Sequence, residues 1–226
     1  MVELDVRHVD EPDNEAVETA AFVLALRARG LRDKAVLGAM ERVPRDMFAP
    51  RRFADLSRSD VALPLPYGQT MTAPGTVAVM LTALSVGADH RVLEIGTGSG
   101  YVSALLARLG AIVATIERYG ALADAAALRF GDLDLARSIH MRVADGLNLP
   151  LGHERFDRIL LNGALPAIPA TVTSLLAPGG RIVGAVTVEG FPRLISIGRA
   201  EDGVLTQAVT VPLRIAPLAS GAPRTR

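Results

Sequence analysis

The sequence predicts an α/β chain: a Rossmann-like, doubly wound, mostly parallel sheet of seven strands with a C-terminal antiparallel hairpin. Three observations carry this expectation. From residue 75 onward, short apolar runs alternate with stretches of helical apolar spacing, the pattern of strand–helix–strand units with right-handed crossovers. Within that alternation, Glu94-Ile95-Gly96-Thr97-Gly98-Ser99-Gly100 places three glycines at alternate positions immediately after an apolar run. The last three apolar runs are separated only by the turn pairs Glu189-Gly190 and Asp202-Gly203, which leaves no room for helices and requires an antiparallel hairpin.

Taken in order, residues 1–13 read as irregular and polar. Ala16, Ala20, Phe22, Val23 and Leu26 recur at helical spacing across 15–29, and Gly30 supplies a stop. A second helix over 33–41 ends before Val43-Pro44. Residues 44–74 hold five prolines, which excludes a helix or a central strand there. Phe48, Phe53, Val61, Leu63 and Leu65 make that segment an ordered loop rather than a disordered one. Helices follow at 76–84, 99–109, 119–130 and 167–176, the third and fourth of these four stopped by Gly131 and by Pro178-Gly179-Gly180. Strands fall at 91–95, 112–116, 139–143, 156–161, 181–188, 193–198 and 205–211.

The glycine turn carries the chemistry. Glycines supply positive φ and remove the Cβ atoms that would keep a ligand off the backbone. Glu117 ends the next strand, 21 residues beyond Gly96, where a carboxylate is placed to bind the two hydroxyls of a ribose. A dinucleotide fingerprint needs G-x-G-x-x-G, but the third glycine would fall on Tyr101 or Ser103, depending on where the count starts. No G-x-x-x-x-G-K-[ST] occurs either. Neither phosphate-binding pattern is therefore met, and the alternative to a ligand site is a glycine-rich turn with no ligand. A third acid, Asp145 of Asp145-Gly146, ends strand 139–143 and is expected on the same rim as Glu94 and Glu117. A carboxylate there could accept from a ligand's donor group, although Asp-Gly is also a common turn pair.

Composition narrows the field. The chain balances 24 acidic against 24 basic residues, so no whole-protein field draws it to nucleic acid. The balance is uneven, with seven carboxylates in residues 1–18 and nine Lys or Arg in 27–58, and solvated helix faces explain both. Without cysteine, disulfides, thiolate nucleophiles and Cys-based metal sites are excluded together. His8, His90, His140 and His153 are scattered without ligand spacing, so no metal is expected. No apolar run approaches membrane-spanning length and the N-terminus is acidic, which implies no membrane partner and a cytoplasmic location.

E-x-G-x-G-x-G followed by a strand-end glutamate resembles the cofactor site of class I S-adenosylmethionine methyltransferases, whose ligand carries ribose and adenine but no phosphate. Other segments narrow the resemblance. Val43-Pro44-Arg45-Asp46-Met47-Phe48-Ala49-Pro50 is similar to the V-P-R-x-x-F-x-P segment of protein-L-isoaspartate O-methyltransferases, and Gly68-Gln69-Thr70-Met71-Thr72-Ala73-Pro74 to their G-Q-T-I-S-x-P segment. Phe156-Asp157-Arg158-Ile159-Leu160-Leu161, Ile168-Pro169, Leu176-Ala177-Pro178-Gly179-Gly180-Arg181 and Ile215-Ala216-Pro217-Leu218 resemble later segments of the same family, in the same order. The resemblance runs from about residue 20 to 218. It implies one methyltransferase domain over 1–226: N-terminal helices and a substrate-side loop in 1–75, the cofactor-binding core in 76–218, and a tail in 219–226, whose end, 221–226, is expected to fray as chain termini do.

The resemblance further implies methyl transfer from S-adenosylmethionine to the free carboxylate of L-isoaspartyl residues in damaged proteins, as a repair step. Glu94, Gly96, Thr97, Gly98, Gly100, Tyr101, Glu117, Arg118, Asp145 and Gly146 become the expected cofactor contacts. Gln69, Thr70, Met71, Asn162 and Gly163 become the expected substrate contacts, with Thr72 as the catalytic hydroxyl. Three positions depart from the family. Thr72 stands where the family places serine, and it also precedes Ala73-Pro74 in the manner of a helix N-cap. Leu161-Asn162-Gly163-Ala164 stands where V-T-A-A is common, and Pro66 where glycine is common. These leave open a methyltransferase with a different acceptor, or a non-catalytic cofactor-binding adaptor on the same fold.

Overall fold

The structure, a computed structural model, describes residues 14–149 and 154–224. The expectations for residues 1–13, His8 and His153 lie outside the described residues. Helices α1 (Asn14–Ala28) and α2 (Lys34–Arg42) open the fold. Asp33 caps α2 by accepting from the amides of Ala35 and Val36 at 3.0 and 3.1 Å, and Val36, Leu37 and Met40 bury its inner face.

The proline-rich stretch is an ordered loop, as its apolar content predicts. It contains short 3₁₀ turns and a two-stranded antiparallel pair, β1 (Leu63–Pro64) and β2 (Thr70–Met71). Its anchor is Arg45, which is only 3% exposed. The guanidinium donates to the carbonyls of Ser57, Val61 and Thr72 at 2.8, 3.0 and 3.3 Å, so one side chain ties three points of the loop together.

The core that follows contains α3 (Pro74–Leu84), β3 (Arg91–Ile95), α4 (Tyr101–Arg108), β4 (Ile112–Glu117), α5 (Gly120–Asp132), β5 (Ile139–Val143), β6 (Phe156–Leu165), α6 (Ala170–Thr173), β7 (Leu176–Val188), β8 (Phe191–Arg199) and β9 (Leu205–Pro212). Seven strands form one sheet in the order β5-β4-β3-β6-β7-β8-β9. The first five of these are mutually parallel, whereas β8 runs antiparallel to both β7 and β9. Strand alternation separates two apolar clusters. Val92 and Val113 join the helices on one face, while Leu93, Ile95, Ile159 and Leu161 pack on the other.

Two elements differ from the sequence expectation. The helix expected over 167–176 is the single turn α6, because Thr171, Val172 and Thr173 are β-branched. The hydroxyls of Thr173 and Ser174 also bond back to the carbonyls of Ala170 and Thr171. Leu176 already belongs to β7, paired with Phe156, and Pro178-Gly179-Gly180 forms an irregularity inside that strand rather than its boundary. The second difference lies in β6, which runs on to Leu165. Between the pairs Leu160↔Val183 and Ala164↔Ala185 it carries extra residues. This bulge lies at 161–163, at the carboxyl edge of the sheet, where bulges re-aim side chains.

The third glycine of the turn serves the fold. Gly100 has φ +90, and a Cβ there would lie 2.8 Å from Phe130 Cε1 and 3.0 Å from Ala126 Cβ on α5. Gly100→Ala should therefore lower stability by about 1–3 kcal/mol through backbone strain alone, with the clash adding to it. Denaturant titration checks this, and an unchanged midpoint would contradict it.

Candidate active site

A cleft with about 800 Å³ of empty space, open mouth included, lies beyond the carboxyl ends of β3, β4 and β6, where open α/β sheets bind ligands. Gly96 and Gly98 hold the turn above β3 with φ of +96 and +56, and Gly96 N–H donates to the Ile116 carbonyl at 2.9 Å. Ile95, Ile116, Ala144 and Leu147 supply apolar wall.

Glu117 sits at this turn. Its Oε2 accepts from Gly98 N–H at 2.7 Å, and its Oε1 from the amides of Arg118 and Tyr119 at 2.8 and 2.9 Å. Three backbone donors fix the carboxylate, which retains acceptor capacity on Oε2.

Glu94 does not reach the cleft. It shares the strand face of Val92, so its side chain enters the layer between sheet and α4, where it is 0% exposed. There it accepts from Ser103 on α4, from Thr115 Oγ1 on β4 at 2.9 Å, and from Asn162 Nδ2 on β6 at 3.5 Å. Burial raises its pKa to about 7, against the opposing effect of the Ser103 and Thr115 hydroxyls. Thr97 turns the same way, its hydroxyl 2.6 Å from that of Thr115.

Tyr101 borders the cleft, but its ring is wedged inward. It meets Phe48 edge-on at a centroid distance of 5.6 Å, with the Arg45 guanidinium 5.9 Å from its ring centroid. Val43–Pro50 thus buttresses the glycine turn from behind. Burial pushes the Tyr101 phenol well above its ordinary pKa.

On the opposite wall, Gln69, Thr70, Met71 and Thr72 line the cleft, together with Asn162 from the β6 bulge. Thr72 does not cap α3: the N-cap is Ala73, with no side-chain bond. Instead Thr72 Oγ1 donates to Asn162 Oδ1 at 3.1 Å, while Asn162 Nδ2 donates to the Gly96 carbonyl at 3.1 Å. The hydroxyl is thus two hydrogen bonds from the glycine turn.

Of the residues expected at the site, Gly96, Thr97, Gly98, Tyr101, Glu117, Arg118 and Gly146 border the cleft with the Gln69–Thr72 segment and Asn162. Glu94, Gly100, Asp145 and Gly163 do not. Asp145 is occupied by Leu147 N–H, Asn148 Nδ2 and, through Oδ2 at 3.0 Å, Gly221 N–H. Gly163 makes room for Leu218, whose Cβ would lie 2.7 Å from a Cβ at that position.

Sequence reasoning assigned no site role to the C-terminal segment. Residues 215–219 line the cleft, tied to β6 by Ala164 N–H to the Ala216 carbonyl and Leu218 N–H to the Ala164 carbonyl. The chain then crosses to Arg118, whose Nε donates to the Ala222 carbonyl and whose own carbonyl accepts from Arg224 N–H. Residues 221–224 are therefore bonded rather than frayed. Tyr119, also missed, lines the cleft and stacks on Tyr67 at 4.9 Å and 8°. Among the described residues, no group of three or more His, Asp or Glu is placed to hold a metal ion, and no helix is long and apolar enough to cross a membrane.

The doubly wound sheet, its reversed C-terminal strands and the glycine-turn cleft define the fold of class I S-adenosylmethionine-dependent methyltransferases. A structure of a Plasmodium falciparum protein described as a protein-L-isoaspartate O-methyltransferase, in complex with S-adenosyl-L-homocysteine, superposes with a TM-score of 0.80 at 18% identity. It covers 89% of this chain and 98% of its own. The chain belongs to the protein-L-isoaspartate(D-aspartate) O-methyltransferase family, whose model matches residues 17–222. It is 41% identical over 214 residues to a protein-L-isoaspartate O-methyltransferase of Azorhizobium caulinodans, covering 93% of this chain and 97% of that one. It is 43% identical over 217 residues to the like-named protein of Xanthobacter autotrophicus, covering 95% and 98%.

A carboxyl whose folded pKa lies above its unfolded one stabilises the fold fully below the unfolded value and loses that contribution as pH rises through the folded value. For Glu94 the window runs from 4.5 to about 7. Relative to Glu94→Gln, the wild type should lose roughly 3 kcal/mol of stability across it. Denaturant midpoints measured from pH 4.5 to 7.5 check this, and parallel curves for the two proteins would contradict it.

Proposed function

We propose that this chain transfers the methyl group of S-adenosylmethionine to the free α-carboxylate of L-isoaspartyl residues in damaged proteins. The observation that carries the reading is the Thr72 hydroxyl, set across the cleft and coupled through Asn162 to the glycine turn. Family membership over nearly the whole chain supports the same activity.

The residues present suit the cofactor. Glu117 offers a carboxylate oxygen to ribose hydroxyls, and the apolar wall takes a flat base. Arg118 and Gly146 border the same half of the cleft. Bound S-adenosylmethionine supplies an electrophilic methyl group on a sulfonium leaving group. When bound, that cofactor would let a carboxylate oxygen take the methyl, the sulfur leaving with the carbon–sulfur electron pair. The acceptor is already ionised at pH 7, its pKa lying near 4, so the protein need not provide a general base. Its contribution is alignment, which supplies roughly 7–11 kcal/mol when reactants are held in line. Thr72 orients the carboxylate by donating to one oxygen, while Gln69, Thr70 and Met71 border the acceptor. Glu94, Gly100 and Gly163 act indirectly, by holding β3, the helix packing and the β6 bulge in place.

A cytoplasmic setting belongs to the same proposal, since a chain without cysteine has no need of an oxidising compartment.

Radiolabelled methyl transfer to an isoaspartyl peptide, beside its aspartyl twin, tests the reading. Label should enter the isoaspartyl peptide alone, and equal background in both would overturn the proposal. Thr72→Ser should keep activity. Thr72→Val should lower kcat/KM by about 10- to 100-fold, the equivalent of one hydrogen bond to a charged group; a fully active Val variant would remove Thr72 from the mechanism.

A further inference from the structure

Asn162 presents a fixed hydrogen-bond acceptor to the methyl-acceptor side of the cleft. The β6 bulge turns its side chain there. Its amide cannot be reversed without loss, because Nδ2 faces the Gly96 carbonyl at 3.1 Å and Glu94 Oε1 at 3.5 Å. Oδ1 therefore points at Thr72 and takes that residue's only hydroxyl proton, at 3.1 Å.

The two side chains thus share one proton between two tasks. When the Thr72 hydroxyl turns to donate to an incoming carboxylate, Asn162 Oδ1 loses its donor. Thr72 is only 8% exposed, and an acceptor left unpaired in such a place weakens binding unless the ligand brings a donor of its own. The pair is matched by a ligand that carries a carboxylate oxygen and an N–H roughly 3 Å apart, as standard bond lengths set for two groups on one carbon. In a peptide, a carboxylate and an amide nitrogen share a carbon at an isoaspartyl residue and at a free C-terminus. At an ordinary aspartyl residue a methylene separates them.

Resting on the reading above, we infer that Asn162 is a specificity-determining residue, whose Oδ1 accepts the backbone N–H of the methyl-accepting residue while Thr72 donates to its carboxylate. The acceptor is recognised as an α-amido carboxylate rather than as a carboxylate alone.

The test uses C-terminally amidated peptides, so that the isoaspartyl residue supplies the only such pair of groups. The parent isoaspartyl peptide is compared with a depsipeptide in which an ester oxygen replaces that residue's own N–H. Wild-type kcat/KM should fall about tenfold or more on the depsipeptide. In Asn162→Ala the parent should lose most of this advantage, leaving the two substrates within about threefold of each other. Equal turnover of both substrates by the wild type overturns the inference while leaving the proposed activity intact, and it does so whether or not the variant folds. An undiminished ratio in Asn162→Ala also overturns it. A wild type that labels the parent peptide no better than an amidated aspartyl control overturns the proposed activity itself, and the inference with it.

Discussion

Glu94 is a carboxylate buried at the place where β3, β4, β6 and α4 meet. An isolated charge there would be prohibitively unfavourable, and even a neutral carboxyl must find partners. Ser103, Thr115 and Asn162 meet that requirement, each from a different element. The consequence is geometric. Because Asn162 must turn its Nδ2 toward Glu94 and Gly96, its carbonyl oxygen is fixed toward Thr72, so a buried polar group beneath the floor sets the hydrogen-bonding character of the opposite wall. Burial, through its effect on the Glu94 pKa, makes this junction neutral over much of the acidic range.

The ligand-facing surface is assembled by the same economy. Backbone amides hold Glu117, so its position does not depend on any mobile partner. Tyr101, with Phe48 and Arg45 behind it, braces the glycine turn against the proline-rich loop, and Arg45 reaches the Thr72 carbonyl as well. The Tyr101 side of the cleft and the Thr72 side are thereby tied together by one buried guanidinium. From the other side, residues 215–224 run from Ala164 past Gly96 to Asp145, Arg118 and Gly120, closing the rim with main-chain bonds.

How much of this was legible in the sequence depended on how local each cause was. The alternation of apolar runs, the glycine spacing and Glu117 are local patterns, and the parallel sheet with its reversed C-terminal strands follows from them and from the short C-terminal turns. Glu94 was misplaced because its position at a strand end suggested the rim, although the two-residue period that places Val92 on the helix face carries Glu94 with it. The helix expected over 167–176 failed on β-branched residues that local reading underweighted. Asp145 serves a local turn with Leu147 and Asn148, the role its Asp-Gly pair also suggested, but its bond to Gly221 and the packing of Gly163 on Leu218 involve the C-terminal segment, which is distant in sequence and beyond the reach of spacing. The surroundings of the bulge that presents Asn162 are equally non-local: Leu218 occupies the space a side chain at 163 would fill. Thr72 was readable as either cap or site residue, and the structure removes the cap, since Ala73 holds that position and Thr72 bonds to Asn162 across 90 positions.

The central claim is that the acids at the strand ends do different work, Glu117 meeting the nucleoside while Asp145 is engaged by the C-terminal segment. Calorimetric affinity for S-adenosylhomocysteine separates them most directly. Removing ribose hydrogen bonds to a charged acceptor is worth about 1.5–3 kcal/mol, so Glu117→Ala should weaken binding by more than tenfold, and Asp145→Asn by much less. Undiminished affinity in Glu117→Ala, or a larger loss in Asp145→Asn, would contradict it.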